Sequence, residues 1–251
     1  MGSTEYLVTH SSIDEHKIRN EKLEHFKHCP IPRNHFLPNL GMFLSSRALS
    51  RILFMDHIYK QIVDTQGVVM EFGVWWGQNL SLFSNLRGIY EPFNRHRKIV
   101  GFDTFTGFPS LHPKDGSSNM MQLGGLSTTE NYESYLHEHL RLQDQDNPLS
   151  HIRRFELCKG DAVVEIDRYL DRNPHTIIAL AYFDFDLYVP TKICLERIKN
   201  RLTKGSIVGF DELNDSDMPG ETLALMEVFG LSNIEIKRFP IASRLSYFVM
   251  Q

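Results

Sequence analysis

The sequence is poor in the features that mark special protein classes. Its 251 residues hold only three cysteines, Cys29, Cys158 and Cys194, far apart and without a CxxC pair. That argues against a disulfide scaffold or a cysteine-based zinc site, and it fits a reducing compartment. No run of about 18 apolar residues occurs, so no segment reads as a membrane-spanning helix. Positive charge is not in excess: 27 Lys and Arg stand against 31 Asp and Glu, a net charge of −4. A nucleic-acid-binding surface is therefore not expected. The first residues, Met1-Gly2-Ser3-Thr4-Glu5-Tyr6, form no basic-then-apolar leader, and Tyr6 breaks the myristoylation pattern. A cytoplasmic protein is the expectation. There is no internal repeat, no low-complexity tract and no GxGxxG. What remains is ordinary globular composition, 41% hydrophobic and 23% charged, in a chain long enough to bury its own core.

Residues 1–30 are charged and carry His10, His16, His25 and His28, as in a solvated arm or short helix. Residues 31–40, with Pro32 and Pro38, read as a connector. Within 45–63, Ala48, Leu49, Ile52, Leu53, Ile58 and Ile62 recur at helical spacing, predicting a helix against the core. Thereafter short apolar runs alternate with helical patterns. Strands are predicted at 68–73, 98–103, 152–158, 176–184 and 206–210. Helices are predicted at 79–89, up to 142, at 162–170, from Pro190, and at 219–229 with Gly230 as its cap. Two last strands, 234–239 and 245–250, are joined too closely to be parallel. The alternation predicts an α/β fold, a doubly wound, seven-stranded, mostly parallel sheet with an antiparallel last strand. The N-terminal helical segment, residues 1–64, precedes this sheet domain, residues 65–251.

In such sheets, ligands bind beyond the carboxyl ends of the strands near the point where strand order reverses. The residues at those ends are therefore the candidates. The first strand ends in Glu71-Phe72-Gly73-Val74-Trp75-Trp76-Gly77, where Gly73 permits a tight turn and Glu71 could accept a ligand amine. The second ends in Gly101-Phe102-Asp103, with an acid placed for ribose hydroxyls. The third ends in Lys159-Gly160-Asp161-Ala162, where Asp161 either caps the next helix or receives an adenine amino group. The fourth runs Asp184-Phe185-Asp186-Leu187-Tyr188, and the fifth Phe210-Asp211-Glu212. Adjacent strands would bring four carboxylates to one corner, and like charges that close need a cation or raised pKa values. Hard oxygen donors suit Mg²⁺, Mn²⁺ or Ca²⁺; plain capping is the alternative.

Taken together, these segments resemble a class I S-adenosylmethionine-dependent methyltransferase. The nearer resemblance is to the macrocin O-methyltransferase (TylF/MycF-like) family of sugar O-methyltransferases. The residues that carry it are Glu71-Phe72-Gly73-Val74-Trp75-Trp76-Gly77, Gly101-Phe102-Asp103-Thr104-Phe105-Thr106-Gly107-Phe108-Pro109 and Asp184-Phe185-Asp186-Leu187-Tyr188-Val189-Pro190-Thr191. The resemblance covers about residues 65–215. It implies a Rossmann-like methyltransferase fold binding S-adenosyl-L-methionine. On that pattern Glu71 and Gly73 contact the methionine part, Asp103 the ribose, and Asp161 with Ala162 the adenine. It also implies Mg²⁺ held by Asp184, Asp211 and Glu212, with Asp186 as general base; the roles of Asp184 and Asp186 are interchangeable. Where the family has a commoner Asp-Asp pair, this chain has Asp211-Glu212. The implied partner is a small sugar-containing acceptor, a glycosylated natural product or a nucleotide sugar of the kind met in antibiotic biosynthesis. A homo-oligomer contacting through the N-terminal helices is implied as well, without nucleic acid or membrane. Catechol-like phenols also present vicinal oxygens, and a non-catalytic binding protein of the same fold is the other class considered.

Other features are weaker. The 104–129 loop is either a lid carrying Phe105, Phe108, Met120 and Met121 or a disordered excursion. Trp75 and Trp76 read as packing. His137 and His139 point apart on a helix and read as solvated. His112 is kept as a spare base. Pro219-Gly220-Glu221-Thr222 borders the acidic corner, but a helix start accounts for it.

Overall fold

The computed structural model describes residues 12–251. His10 and the rest of residues 1–11 lie outside the described residues. The remaining N-terminal segment is helical: α1 (Ile13–Lys27), a short α2 (Arg33–Phe36) running into a 3-10 stretch (Leu37–Phe43), and α3 (Ser46–Lys60). A reciprocal Ser12–Glu15 capping box starts α1, which buries none of its residues. The 31–40 connector is thus mostly helical; Pro38 sits in a first turn, where its missing N–H costs nothing.

The sheet domain then alternates strand and helix: β1 (Val68–Phe72), α4 (Gln78–Tyr90), β2 (Ile99–Asp103), α5 (Tyr132–Gln145), β3 (Phe155–Lys159), α6 (Ala162–Arg172), β4 (Ile178–Phe183), α7 (Tyr188–Ile198), β5 (Leu202–Phe210), α8 (Gly220–Phe229), β6 (Lys237–Arg238) and β7 (Ser246–Val249). Seven strands form one sheet in the order β3-β2-β1-β4-β5-β7-β6. β1 to β5 pair in parallel, while β7 runs antiparallel to β5 and β6. Strand order reverses between β1 and β4, which puts the ligand-binding crevice above those two strands.

Helices cover both faces. On one, Phe54, Ile58 and Tyr59 of α3 join Leu80 and Phe83 of α4 over Val69, Leu180 and Ile207. On the other, Ile166, Tyr169, Leu195 and Leu225 lie over Met70, Val100 and Val208. The buried face of α3 differs from the expected stripe. Phe54, Met55, Ile58 and Tyr59 are buried, whereas Leu49 and Leu53 face solvent. The 234–239 strand shrinks to Lys237–Arg238, an edge pairing only with β7.

One motif sets the height of the strand ends. Phe102, Phe72, Phe183 and Phe210 are neighbours in register across β2, β1, β4 and β5. Their rings stack at centroid distances of 4.9, 4.6 and 5.4 Å, with planes within 18° of parallel. Such offset stacks add about 0.5–1.5 kcal/mol per pair beyond area burial. The next residue on each strand is Asp103, Gly73, Asp184 or Asp211.

Candidate active site

Gly73 leaves β1 with φ +91°, and a Cβ there would lie 2.1 Å from the Asp184 carbonyl oxygen. The turn therefore crosses directly against the end of β4, and only glycine allows it. The chain then bends over Asp103. Its Oδ2 accepts the Val74 and Trp75 amides (2.7 and 2.8 Å), and its Oδ1 accepts the Phe105 amide (2.6 Å). Asp103 thus ties the β1 turn and the start of the long loop to the end of β2. Asp161 is the N-cap of α6, its Oδ1 accepting the Val163 amide at 3.0 Å.

Gly73, Asp103, Asp161 and Ala162 all line one cleft of about 540 Å³ over the ends of β1 to β4. Glu71 does not line it. Its side chain is buried toward Asn79 and the Leu80 amide at the start of α4, and Oε2 has no hydrogen-bond partner. Burial holds its pKa well above the carboxylate range, with Asp103 adding to the shift.

A second pocket of about 980 Å³ lies beside the first. It contains all four expected carboxylates, Asp184, Asp186, Asp211 and Glu212, with Arg47, Arg51 and Arg244. Asp184, Asp186, Trp75 and Leu126 line both spaces, so the two meet at the end of β4. Arg51, from α3, reaches Asp184 Oδ2 (3.3 Å) and pairs with Asp211. The buried Tyr182 hydroxyl donates to Asp211 Oδ1 at 2.9 Å. Arg244, between β6 and β7, pairs with the buried Glu212. Burial, then the neighbouring Asp211 carboxylate, pushes Asp184 well above its usual pKa; Arg51 opposes this. The same two causes raise Asp186 to about 7, while Arg244 and Arg51 pull it down. A carboxyl poised there can accept a proton near neutral pH.

A hard divalent cation is implied by the resemblance, and the donors can be weighed against it. Four carboxylates share this space with Arg47, Arg51 and Arg244, so even fully ionised they exceed the cations by one charge. Carboxylate oxygens are the donor type that Mg²⁺ takes. Arg51, however, stands between Asp184 and Asp211, and among the described residues no three His, Cys, Asp or Glu side chains are arranged to hold an ion.

The 104–129 loop is ordered and forms the wall between the two spaces. Its two arms close on each other through Phe108 N to Gly125 O and Gly124 N to Phe108 O, both 3.0 Å. Gly107, Phe108 and Gly125 face the first space, Met120 the second, and Leu126 both. Asp115 pins the loop to α7 by accepting the Tyr188 amide at 2.6 Å. His112 is not in either space; its ring lies tilted against Tyr188 and its Nδ1 accepts the Lys114 amide. His137 contacts Arg153 on the surface. Trp76 packs edge-on against Tyr132 but also lines the second space, and Trp75 faces both, so neither is packing alone. Arg51, Arg244, Asn79 and Glu221 were not singled out as site residues by sequence reading. The first two come from distant segments, and nothing local marks them.

No model of a known protein family matches the chain, and no curated protein does either. Solved structures do. The crystal structure of CalS11, a calicheamicin methyltransferase, is 41% identical, with 96% of this chain and 94% of that one covered and a TM-score of 0.93. An apo structure of CalS11, there described as a TDP-rhamnose 3'-O-methyltransferase of calicheamicin biosynthesis, is 39% identical over 96% of both chains, TM-score 0.84. The O-methyltransferase NovP shares the fold at 18% identity over 80% of both chains, TM-score 0.60. With its strand order, its crevice and this identity across nearly its whole length, the chain belongs to the TylF/MycF-like sugar O-methyltransferases, class I S-adenosylmethionine-dependent O-methyltransferases.

Proposed function

We propose that this enzyme moves the methyl group of S-adenosyl-L-methionine onto a hydroxyl of a sugar, carried by a nucleotide or a natural product of the antibiotic type. The observation that carries this reading is the junction of the two spaces at Asp184 and Asp186. Cofactor in the first cleft and sugar in the second would meet there. The identity to CalS11, described as a TDP-rhamnose methyltransferase, supports the sugar acceptor.

In this reading Gly73, Asp103, Asp161 and Ala162 shape the cofactor cleft, with Glu71 beneath it. The sulfonium activates its own methyl group, so the protein chiefly aligns an in-line displacement and excludes water. The loop wall serves that exclusion. Asp186 accepts the hydroxyl proton as the C–O bond forms; its raised pKa suits it to the task. Asp184, Asp211 and Glu212 would hold Mg²⁺ or another hard divalent cation once Arg51 withdraws from the two aspartates and Arg244 from Glu212. Such an ion would supply positive charge that favours loss of the hydroxyl proton.

The same reading includes a cytoplasmic homo-oligomer joined through the N-terminal helices. Among the described residues no helix is long and apolar enough to cross a membrane, and all three cysteines are free. α1 exposes Ile13, Ile18 and Leu23, buries none of its residues and touches the following segment through Phe26; a 15-residue helix with so little packing is marginal in water. Light scattering of the purified protein tests this point, and a monomer would overturn it.

The decisive experiment is calorimetric titration with S-adenosylmethionine, followed by transfer of labelled methyl to nucleotide sugars, glycosides and catechols with Mg²⁺ or chelator. Cofactor binding, transfer to a sugar and loss with chelator are expected. Catechol preference overturns the acceptor class, chelator-resistant turnover overturns the cation, and absent cofactor binding overturns the whole reading.

A further inference from the structure

Glu221 lies in the first turn of α8 and is completely buried. Its Oε1 accepts the Phe185 amide at 2.9 Å, and the Asp186 amide also faces the carboxyl group. Oε2 has no hydrogen-bond partner, and no cation pairs with the group among the described residues. Packing alone gives no reason for an ionisable side chain here, since burying one without a counter-charge is costly. The neighbouring Gly220 shows how closely α8 presses on this turn. A Cβ there would lie 2.7 Å from the Tyr188 nitrogen and 3.1 Å from the Asp186 carbonyl oxygen.

The residue above Glu221 is in an unusual state. Asp186 has φ +61°, a left-handed conformation that non-glycine residues keep only when their surroundings dictate it. Those surroundings are visible. Glu221 holds the amides entering Asp186, and Asp115 of the loop holds the Tyr188 amide beyond it. Both acceptors are buried carboxyl groups from elements outside the turn. Together they hold the two peptide planes leading into Asp186 and the Leu187–Tyr188 plane beyond it, and the Asp186 side chain lies at the junction of the two spaces.

We propose that Glu221 is a positioning residue for methyl transfer: it fixes the left-handed Phe185–Asp186 turn and so places the Asp186 carboxylate against the acceptor hydroxyl. The proposal rests on the reading of Asp186 as the base. Without the Glu221 acceptor the Phe185–Asp186 peptide is free to rotate, the backbone relaxes toward φ below zero, and the carboxylate swings off the line of attack. Substrate and cofactor still bind, because Glu221 touches neither space.

The test compares three variants. Glu221→Ala removes the acceptor. Glu221→Asp keeps a carboxyl group but withdraws its oxygens by one methylene. Glu221→Gln keeps an acceptor oxygen at full reach. Expected for Ala and Asp is a fall in kcat of about 10²-fold, the scale of an ångström-sized misplacement, with cofactor Kd and acceptor KM within about threefold. Gln is expected to stay within about threefold of wild type in kcat. Amide exchange at Phe185 and Asp186 accelerates in Ala and Asp and not in Gln. In an Asp186→Asn background, Glu221→Ala costs less than about twofold more, since it acts through the missing carboxylate. Should Ala fail to fold, Asp carries the same comparison. Unchanged exchange of the two amides, or a full additional loss in the Asp186→Asn background, overturns the proposal. Wild-type turnover by Asp186→Asn alone overturns the base assignment instead, and amide exchange then still decides whether Glu221 holds the turn.

Discussion

Asp103→Asn separates the ribose contact that the sequence suggests for this residue from the backbone tether that the structure shows. If Asp103 only held ribose hydroxyls, the near-isosteric amide would weaken cofactor binding and leave the free protein as stable as before. The structure predicts otherwise. Three backbone amides, those of Val74, Trp75 and Phe105, donate to the carboxylate at 2.6–2.8 Å. Carboxamide offers one oxygen. Turned to keep Val74 and Trp75, it presents its NH₂ to the Phe105 amide; turned the other way, it forfeits two bonds. At least one charge-assisted bond is lost and one donor faces another donor. Bonds to charged groups contribute about 1.5–3 kcal/mol, so about 2 kcal/mol of stability should disappear. For a domain of this size that is a Tm lower by about 4–8 °C. Thermal unfolding of the cofactor-free protein, followed by circular dichroism, reads it directly. A midpoint within 1 °C of wild type would refute the reasoning and return Asp103 to a purely ligand-binding role.

Gly73→Ala should be among the most damaging single substitutions, because its methyl would meet the Asp184 carbonyl at 2.1 Å with φ at +91°. We expect little soluble protein, and normal yield and Tm would show that the β1 turn can move aside. Arg51→Gln removes the guanidinium between Asp184 and Asp211; if these are cation ligands, millimolar Mg²⁺ should raise Tm more in the variant than in wild type. Equal or absent Mg²⁺ effects in both would count against that ligand set. Glu221 supplies a pH signature. Burial and Asp186 raise its pKa from 4.5 to about 8, so the folded state binds its proton more tightly than the unfolded state. Its contribution to stability is full below pH 4.5 and is lost as pH rises to about 8, with a limiting slope near 1.4 kcal/mol per pH unit. Denaturant titrations should show wild type losing stability relative to Glu221→Gln across that window, and parallel profiles would contradict the burial argument.

The central strands were legible because each is a short, almost wholly apolar run closed by Gly or Asp, and the switch-point rule then selected the acids at their ends. All four acids do gather in one pocket. What the sequence hid was the charge opposing them. Arg51 precedes Asp184 by 133 positions, on a helix whose visible signal was its apolar spacing. That spacing also misled about the face, because Ser46–Lys60 is apolar on two sides and only packing against Tyr182 and Tyr247 selects Phe54. Glu221 looked like an ordinary acid at a helix start, 36 positions from the amide it holds. The loop is fastened to α7 through Asp115, a contact that no local pattern announces.

The stacked phenylalanines have a consequence for divergence. Phe72, Phe102, Phe183 and Phe210 form one datum from which both halves of the crevice are measured, each ring being one residue below Gly73, Asp103, Asp184 or Asp211. The walls are drawn from elsewhere: Met120 and Leu126 from the loop, Met218 from the segment before α8, Arg47 from the N-terminal helices. If the second space takes the acceptor, as proposed, changing those walls alters which molecule fits while the separation of donor and acceptor stays as it is. On that reading acceptor preference is rewritten one wall residue at a time, with the geometry of transfer inherited from the aromatic row beneath.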